Sequence, residues 1–142
     1  MKKKILLVEE NRAISFLVQT LLEKNYDTCL AQDSYYAIKE MVSQKHFDCI
    51  IISIDSKDSD SFHLLQHVTS SSVYKHIPVM VLANCHEANL EVECTRLGIA
   101  GYVEKPFDPQ VFSKKIDDLL LTGPITKPVK RPVKIFNLNF YI

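Results

Sequence analysis

Glycine is scarce in this chain, with three in 142 residues. A Gly-rich phosphate loop is therefore excluded, which argues against a nucleotide-binding enzyme, because such loops need glycine for close backbone approach to phosphate. Long hydrophobic runs are missing too. No apolar stretch reaches the roughly 18 residues that span a bilayer. The opening Met1-Lys2-Lys3-Lys4-Ile5-Leu6-Leu7-Val8 begins like a secretory leader, but Glu9-Glu10 cut the apolar run short of an h-region. Neither sign of charge is in excess: Lys+Arg and Asp+Glu are both 17. Nothing in that balance favours nucleic acid or an anionic membrane as the main partner, and neither is expected. The four cysteines lack metal or redox spacing. With Cys29 and Cys49 inside apolar strand-like segments, they are expected to be buried, reduced thiols of a cytoplasmic protein.

A hydrophobic content of 46% is enough for a core in one domain. Short apolar runs alternate with helical patterns five times. The predicted strands are 4–8, 26–31, 48–53, 79–83 and 100–104. Between them, Ile14, Leu17, Val18, Leu21 and Leu22 mark one face of a helix over 11–24. Ser34 is placed to cap a second helix with Ala37, Ile38, Met41 and Val42 inward. Phe62, Leu64, Leu65 and Val68 mark a third, and 87–97 a fourth that ends near Gly98. Asp108 and Pro109 open a fifth helix through Val111, Phe112, Ile116, Leu119 and Leu120, stopped by Gly123-Pro124. Continuous apolar strands between amphipathic helices imply an α/β fold with a parallel sheet buried on both faces.

Residues 1–122 form this domain, and 123–142 differ in kind. Pro124, Pro128 and Pro132 recur every four residues with Lys127, Lys130, Arg131 and Lys134 among them, as in an extended basic linker. Phe136, Leu138, Phe140 and Ile142 then alternate with polar residues, a period-two strand pattern. Two readings stand here: a tether whose end folds back or frays, or a strand that pairs with a partner's sheet edge or begins a further domain.

The carboxyl ends of the strands form the binding crevice of open α/β sheets. Glu9 and Glu10, Ser53, Ala83 and Lys105 fall at such ends. The acid pair, the residue ending the third strand, and Tyr102-Val103-Glu104-Lys105-Pro106 resemble, in order and separation, the receiver domain of two-component response regulators, the CheY-like family. The resemblance spans roughly residues 3–121 and implies the flavodoxin-like strand order 2-1-3-4-5. In that family the acid pair and an acceptor aspartate hold Mg²⁺, the lysine contacts the phosphoryl group, a hydroxyl on the fourth strand senses it, and an aromatic moves with it. Glu9 and Glu10 match the acid pair, with glutamate for the commoner aspartate. Lys105 and Pro106 match the lysine and its proline, and Tyr102 the aromatic. Asp58 and Asp60 match polar loop positions, while Lys57 and Ser61 stand where proline and glycine are usual.

Two departures decide the expectation. Ser53 replaces the acceptor aspartate, and Ala83 replaces the sensing hydroxyl. A serine hydroxyl is protonated at neutral pH and needs an adjacent base to act as a nucleophile. Mg²⁺ favours charged oxygen ligands, and Ser53 supplies a neutral one. Removing a charge some 5 Å from its neighbours relieves repulsion of about 3 kcal/mol at an effective dielectric near 20, and Lys105 is then free to pair with Glu10 or Glu9. The sequence is thus expected to encode a pseudo-receiver, not an enzyme, with no catalytic residue and no cofactor. Glu9 and Glu10 are the candidate ligands were an ion bound. Its function would be protein recognition in a two-component-type pathway. The resemblance places this on the face of the fourth helix, fifth strand and fifth helix, near Tyr102 and the exposed side of 113–118; a second copy of the chain is one candidate partner. The rivals are a working receiver with Mg²⁺-dependent phosphotransfer and autodephosphorylation, and a domain sensing an anion or small ligand in the vacated crevice. His63 and His67 have zinc-like spacing without a third ligand. Asp55, Asp58 and Asp60 lack the glycine and final glutamate of a calcium loop.

Overall fold

The computed structural model describes residues 2–44, 46–83 and 89–121, together with the backbone of 133–135 and 138–140. Five strands, β1 (Lys3–Val8), β2 (Tyr26–Ala31), β3 (Cys49–Ile54), β4 (Val79–Ala83) and β5 (Gly101–Glu104), form a parallel sheet in the order β2-β1-β3-β4-β5. Five helices connect and follow them: α1 (Arg12–Leu22), α2 (Ser34–Gln44), α3 (Asp60–Ser70), α4 (Leu90–Arg96) and α5 (Pro109–Leu120). Both the α/β class and the strand order match the expectation. Among the described residues no helix is long and apolar enough to cross a membrane.

Alternate residues of each strand feed opposite layers. Leu6, Val8, Ile50, Ile52, Ile54, Val79 and Val81 pack with Met41, Leu65 and Cys94 of α2, α3 and α4. Ile5, Leu7, Ile51, Met80 and Leu82 pack with Val18, Leu22, Phe112 and Ile116 of α1 and α5. This two-sided burial explains why the central strands carry no polar alternation. At the sheet's edge the Tyr26 hydroxyl donates to Asp117 Oδ1 at 2.6 Å, tying β2 to α5. Gly98 takes φ +89° just after α4, a conformation glycine adopts at no steric cost, as its place after the helix predicted.

Several local expectations need correction. Asp33 caps α2 in place of Ser34: its Oδ1 accepts from the Tyr36 amide at 3.0 Å, while the Ser34 hydroxyl donates to the Asp60 carbonyl at 3.2 Å. Only Ala37 and Met41 of α2 are buried, and Ile38 and Val42 face solvent. A helix over the sheet's margin covers it with one i, i+4 row, and the next row points outward. Val111 of α5 is exposed as well, one residue before the fully buried Phe112. β3 begins and ends one residue later than predicted, because Ile54 pairs with Ala83 while the Asp48 carboxylate accepts from the Lys4 amide at 2.8 Å. α1 starts at Arg12, with the Asn11 side chain as its cap, and α4 is shorter than 87–97.

The tail divides between described and undescribed residues. Val133–Ile135 (β6) and Leu138–Phe140 (β7) form a two-stranded antiparallel ladder. The proline-rich stretch and the ends of the alternating segment, Phe136 and Ile142, lie outside the described residues.

Cys49 is fully buried in β3, and burial, with a smaller contribution from the Asp48 carboxylate, pushes its thiol up to about 12. An unfolded chain releases that proton near pH ~8.5. Above this pH the unfolded state binds fewer protons than the folded one, so this contribution to stability is complete below pH ~8.5 and is lost as pH rises toward the folded value. Melting temperatures recorded from about pH 7 to 11 should therefore fall less steeply for Cys49→Val than for the unsubstituted protein. Parallel declines would show that the thiol is not responsible.

Candidate functional site

Three strand ends converge on one lysine. β1 delivers Glu9, whose backbone amide donates to the Ala31 carbonyl at 3.1 Å and so continues the ladder with β2. β3 delivers Ser53, opposite Leu82 of β4. β5 ends at Glu104, and the Lys105 amide donates to the Ala83 carbonyl at 2.9 Å, which fixes the point from which the lysine side chain enters the crevice. Lys105 Nζ then donates to Glu9 Oε1 at 2.9 Å and to Ser53 Oγ at 2.5 Å. The lysine and glutamate side chains are 9% and 3% exposed, and Ser53 is buried.

The second oxygen of Glu9 is also engaged. Oε2 accepts from the Asn11 amide at 3.0 Å, at the start of α1, while the Asn11 side chain accepts from the Ile14 amide at 2.9 Å. Both carboxylate oxygens and the lysine ammonium are therefore satisfied inside the protein, as buried charges require. Among the described residues no buried side-chain polar atom lacks a partner.

The sequence placed Glu9, Glu10, Ser53, Ala83 and Lys105 at strand ends, and each lies there. It left open which acid Lys105 would choose. The structure selects Glu9; Glu10 is exposed at the crevice wall. Ala83 is fully buried, closes β4, and contributes its carbonyl but no hydroxyl. Tyr102 is half-buried against the core layer beneath α4. His63 and His67 are exposed on α3, where His67 meets the ring of Tyr74. Among the described residues no group of three or more His, Cys, Asp or Glu is arranged to hold a metal ion. Sequence reasoning missed the Asn11 amide as a partner of Glu9. The only signal was its position two residues after the acid, at a helix cap.

Around this network the surface opens into a cavity of about 570 Å³. Its walls include Glu10, Asp33, Asp55 and Asp60, with hydroxyls from Ser34, Ser59 and Ser61, and Pro106 flanks Lys105. Among the described residues Lys105 is the one cation lining it, and it is already paired with Glu9. Glu10, Asp33, Asp55 and Asp60 therefore give the open space a negative potential.

Lys105→Met should destabilise the fold by about 3–5 kcal/mol, because it strands a buried carboxylate. Adding Glu9→Gln should recover most of that loss, since the pair leaves the core together. Urea melts of the two single variants and the double variant measure this coupling. Strict additivity would mean that the two groups do not depend on one another.

Residues 5–117 match the response regulator receiver domain. The chain is 27% identical over 118 residues to the chemotaxis protein CheY of Pseudomonas aeruginosa, covering 82% of this chain and 94% of that protein. It is also 27% identical over 129 residues to the alkaline phosphatase synthesis transcriptional regulatory protein PhoP of Bacillus subtilis, covering 90% of this chain but 52% of PhoP. Among solved structures, the chemotaxis protein CheY4 of Vibrio cholerae superposes with a TM-score of 0.73 at 26% identity, covering 84% of this chain and all of that one. The phosphorylated cyanobacterial phytochrome response regulator RcpA shares the fold at a TM-score of 0.75 and 22% identity. By sequence and by fold, the chain belongs to the response regulator receiver family of two-component signalling.

Proposed function

We propose that this receiver works without phosphorylation, as a protein-recognition domain held in one resident conformation. The observation that carries this reading is the closed network of Lys105, Glu9 and Ser53. The position at the end of β3 presents a hydroxyl, and the neighbouring lysine donates to it as a cation paired with Glu9. A protonated lysine cannot take the serine proton, so among the described residues the hydroxyl has no base in contact with it. Glu10 is the one remaining acid of the pair, and it points into an open crevice.

The same donor set does not fit a divalent cation. Glu9 is committed on both oxygens, and Ser53 brings no charge, which leaves one exposed carboxylate where Mg²⁺ demands several hard oxygens in near-octahedral order. Lys105 occupies the electrostatic role of an ion. Ala83 completes the reading, because a buried methyl group cannot report a phosphoryl group by hydrogen bonding. Without ligand-dependent differences between two states, no population shift can be driven from this site. Recognition then falls to surfaces outside it, and the half-buried Tyr102 with the α4–β5–α5 face is the interface we assign. Exposed Val92 and Val111 on that face give it apolar character.

Incubation with acetyl phosphate and Mg²⁺ should leave the intact mass unchanged. Millimolar Mg²⁺ should barely move the melting temperature, whereas a site at 100 times its dissociation constant would add about 2.7 kcal/mol. A gain of one phosphoryl group, or a large Mg²⁺-specific stabilisation, would overturn the proposal in favour of a working receiver.

A further inference from the structure

β2 forms one edge of the parallel sheet, and among the described residues its one strand neighbour is β1. The Glu9 amide donates to the Ala31 carbonyl, which turns the backbone groups of Asp27, Cys29 and Ala31 toward β1. Those of Tyr26, Thr28 and Leu30, the alternate residues, therefore face outward. Proteins usually blunt such an edge with a short strand, proline, lysine or a bulge. β2 has none of these. It runs six residues in unbroken register with β1 and carries one charge, on Asp27. The opposite edge is better protected, since β5 has four residues and ends at the exposed Glu104.

Apolar surface flanks β2 on both faces of the sheet. Tyr26 packs in the layer of α1 and α5, and Leu30, on the same face by alternation, is 40% exposed. On the other face Gln44 of α2 donates to Cys29 Sγ at 3.5 Å and to Glu40 at 2.8 Å, which sets this row of the helix over β2. Tyr36 lies one turn earlier in the same row and is 43% exposed.

The strand is complementary to itself. Antiparallel strands exchange bonds between residues whose backbone groups face each other. A second β2 centred on Thr28 sets Thr28 against Thr28 of the second copy and Tyr26 against Leu30 of the second copy. Every outward N–H and C=O of the three residues then has a partner. Asp27 falls opposite Cys29 of the second copy, so no like charges stand directly opposed. The two-fold axis of such a pair is perpendicular to the sheet, which brings the two α2 helices together on one face and the two α1 helices on the other. Leu30 and Tyr36 are covered in the same step. A lone peptide strand would meet the backbone edge but bring no helix layer to either face.

We propose that β2 is a homodimer interface, joining two five-stranded sheets edge to edge through antiparallel β2–β2 pairing centred on Thr28. A mostly parallel sheet accepts an antiparallel junction at its edge. β5 lies at the other edge of the sheet, so the dimer leaves the face around Tyr102 open in both copies.

Sedimentation equilibrium of the full chain tests this. The mass should rise with concentration toward twice that of the chain. Thr28→Lys places two ammonium groups directly opposite one another at the axis and should weaken dimerisation about tenfold or more. Thr28→Pro should do the same by a different route, since it removes an outward N–H and leaves the bonds to β1 in place. Circular dichroism of both variants separates loss of the dimer from loss of the fold. Under oxidation Thr28→Cys should form a disulfide between copies at position 28, because Cα atoms about 5.5 Å apart in a hydrogen-bonded pair suit one. A monomeric mass at all concentrations overturns the proposal, as does failure of Thr28→Cys to link. A dimer that survives in folded Thr28→Lys and Thr28→Pro but is lost in Val92→Glu/Val111→Glu overturns it too, and moves the contact to the α4–α5 side.

Discussion

A buried ammonium group shared between a carboxylate and a hydroxyl sets the geometry of the sheet's carboxyl edge. Taking Lys105 and Glu9 out of water costs several kcal/mol each, and the cost is tolerable because both carboxylate oxygens are met and the ammonium donates to two acceptors. Glu9 accepts from the lysine on one oxygen and from the Asn11 amide on the other. That requirement ties together the end of β1, the start of α1, the end of β3 and the residue after β5. It also determines what the crevice can do. Among the described residues its one cation is paired to Glu9, and the open space beyond is lined by acids and hydroxyls.

The rest of the fold is set by less selective forces. β1, β3 and β4 are buried on both faces, and their apolar residues feed two separate layers. Such a sheet tolerates wide variation in side chains while keeping strand order, which fits a superposition at a TM-score of 0.73 with 26% identity. Burial is uneven, however. α2, over the edge of the sheet, buries one row and leaves an aromatic and aliphatic stripe in solvent.

Family membership and local chemistry answer different questions here. The receiver match establishes the fold and the general role in two-component signalling. What the strand ends can do depends on particular residues, and a fold alone does not transmit an activity. At these strand ends Ser53 offers a hydroxyl held by Lys105 and Ala83 a buried methyl group, so neither side chain brings a charge to the crevice.

Much of this was legible in the sequence. Runs such as Ile5–Val8 and Cys49–Ile52 are short and rich in β-branched residues, which reads as strands covered on both sides, and helical spacing between them implies α/β layering. The residues at the strand ends were legible because their positions follow from where apolar runs stop. The strand order needed the family resemblance as well. Three things were decided only by the tertiary structure. Lys105 pairs with Glu9 and not Glu10, because successive residues leaving a strand point to opposite sides. Asp33 displaces Ser34 as the α2 cap, since the Ser34 hydroxyl is taken by Asp60 across a helix boundary that one-dimensional patterning cannot see. Ile38 and Val42 face outward, because how much of an amphipathic helix is buried depends on how far the sheet extends beneath it. Periodicity reports that a helix has an apolar face; the width of the surface it lies on is a property of the assembled sheet.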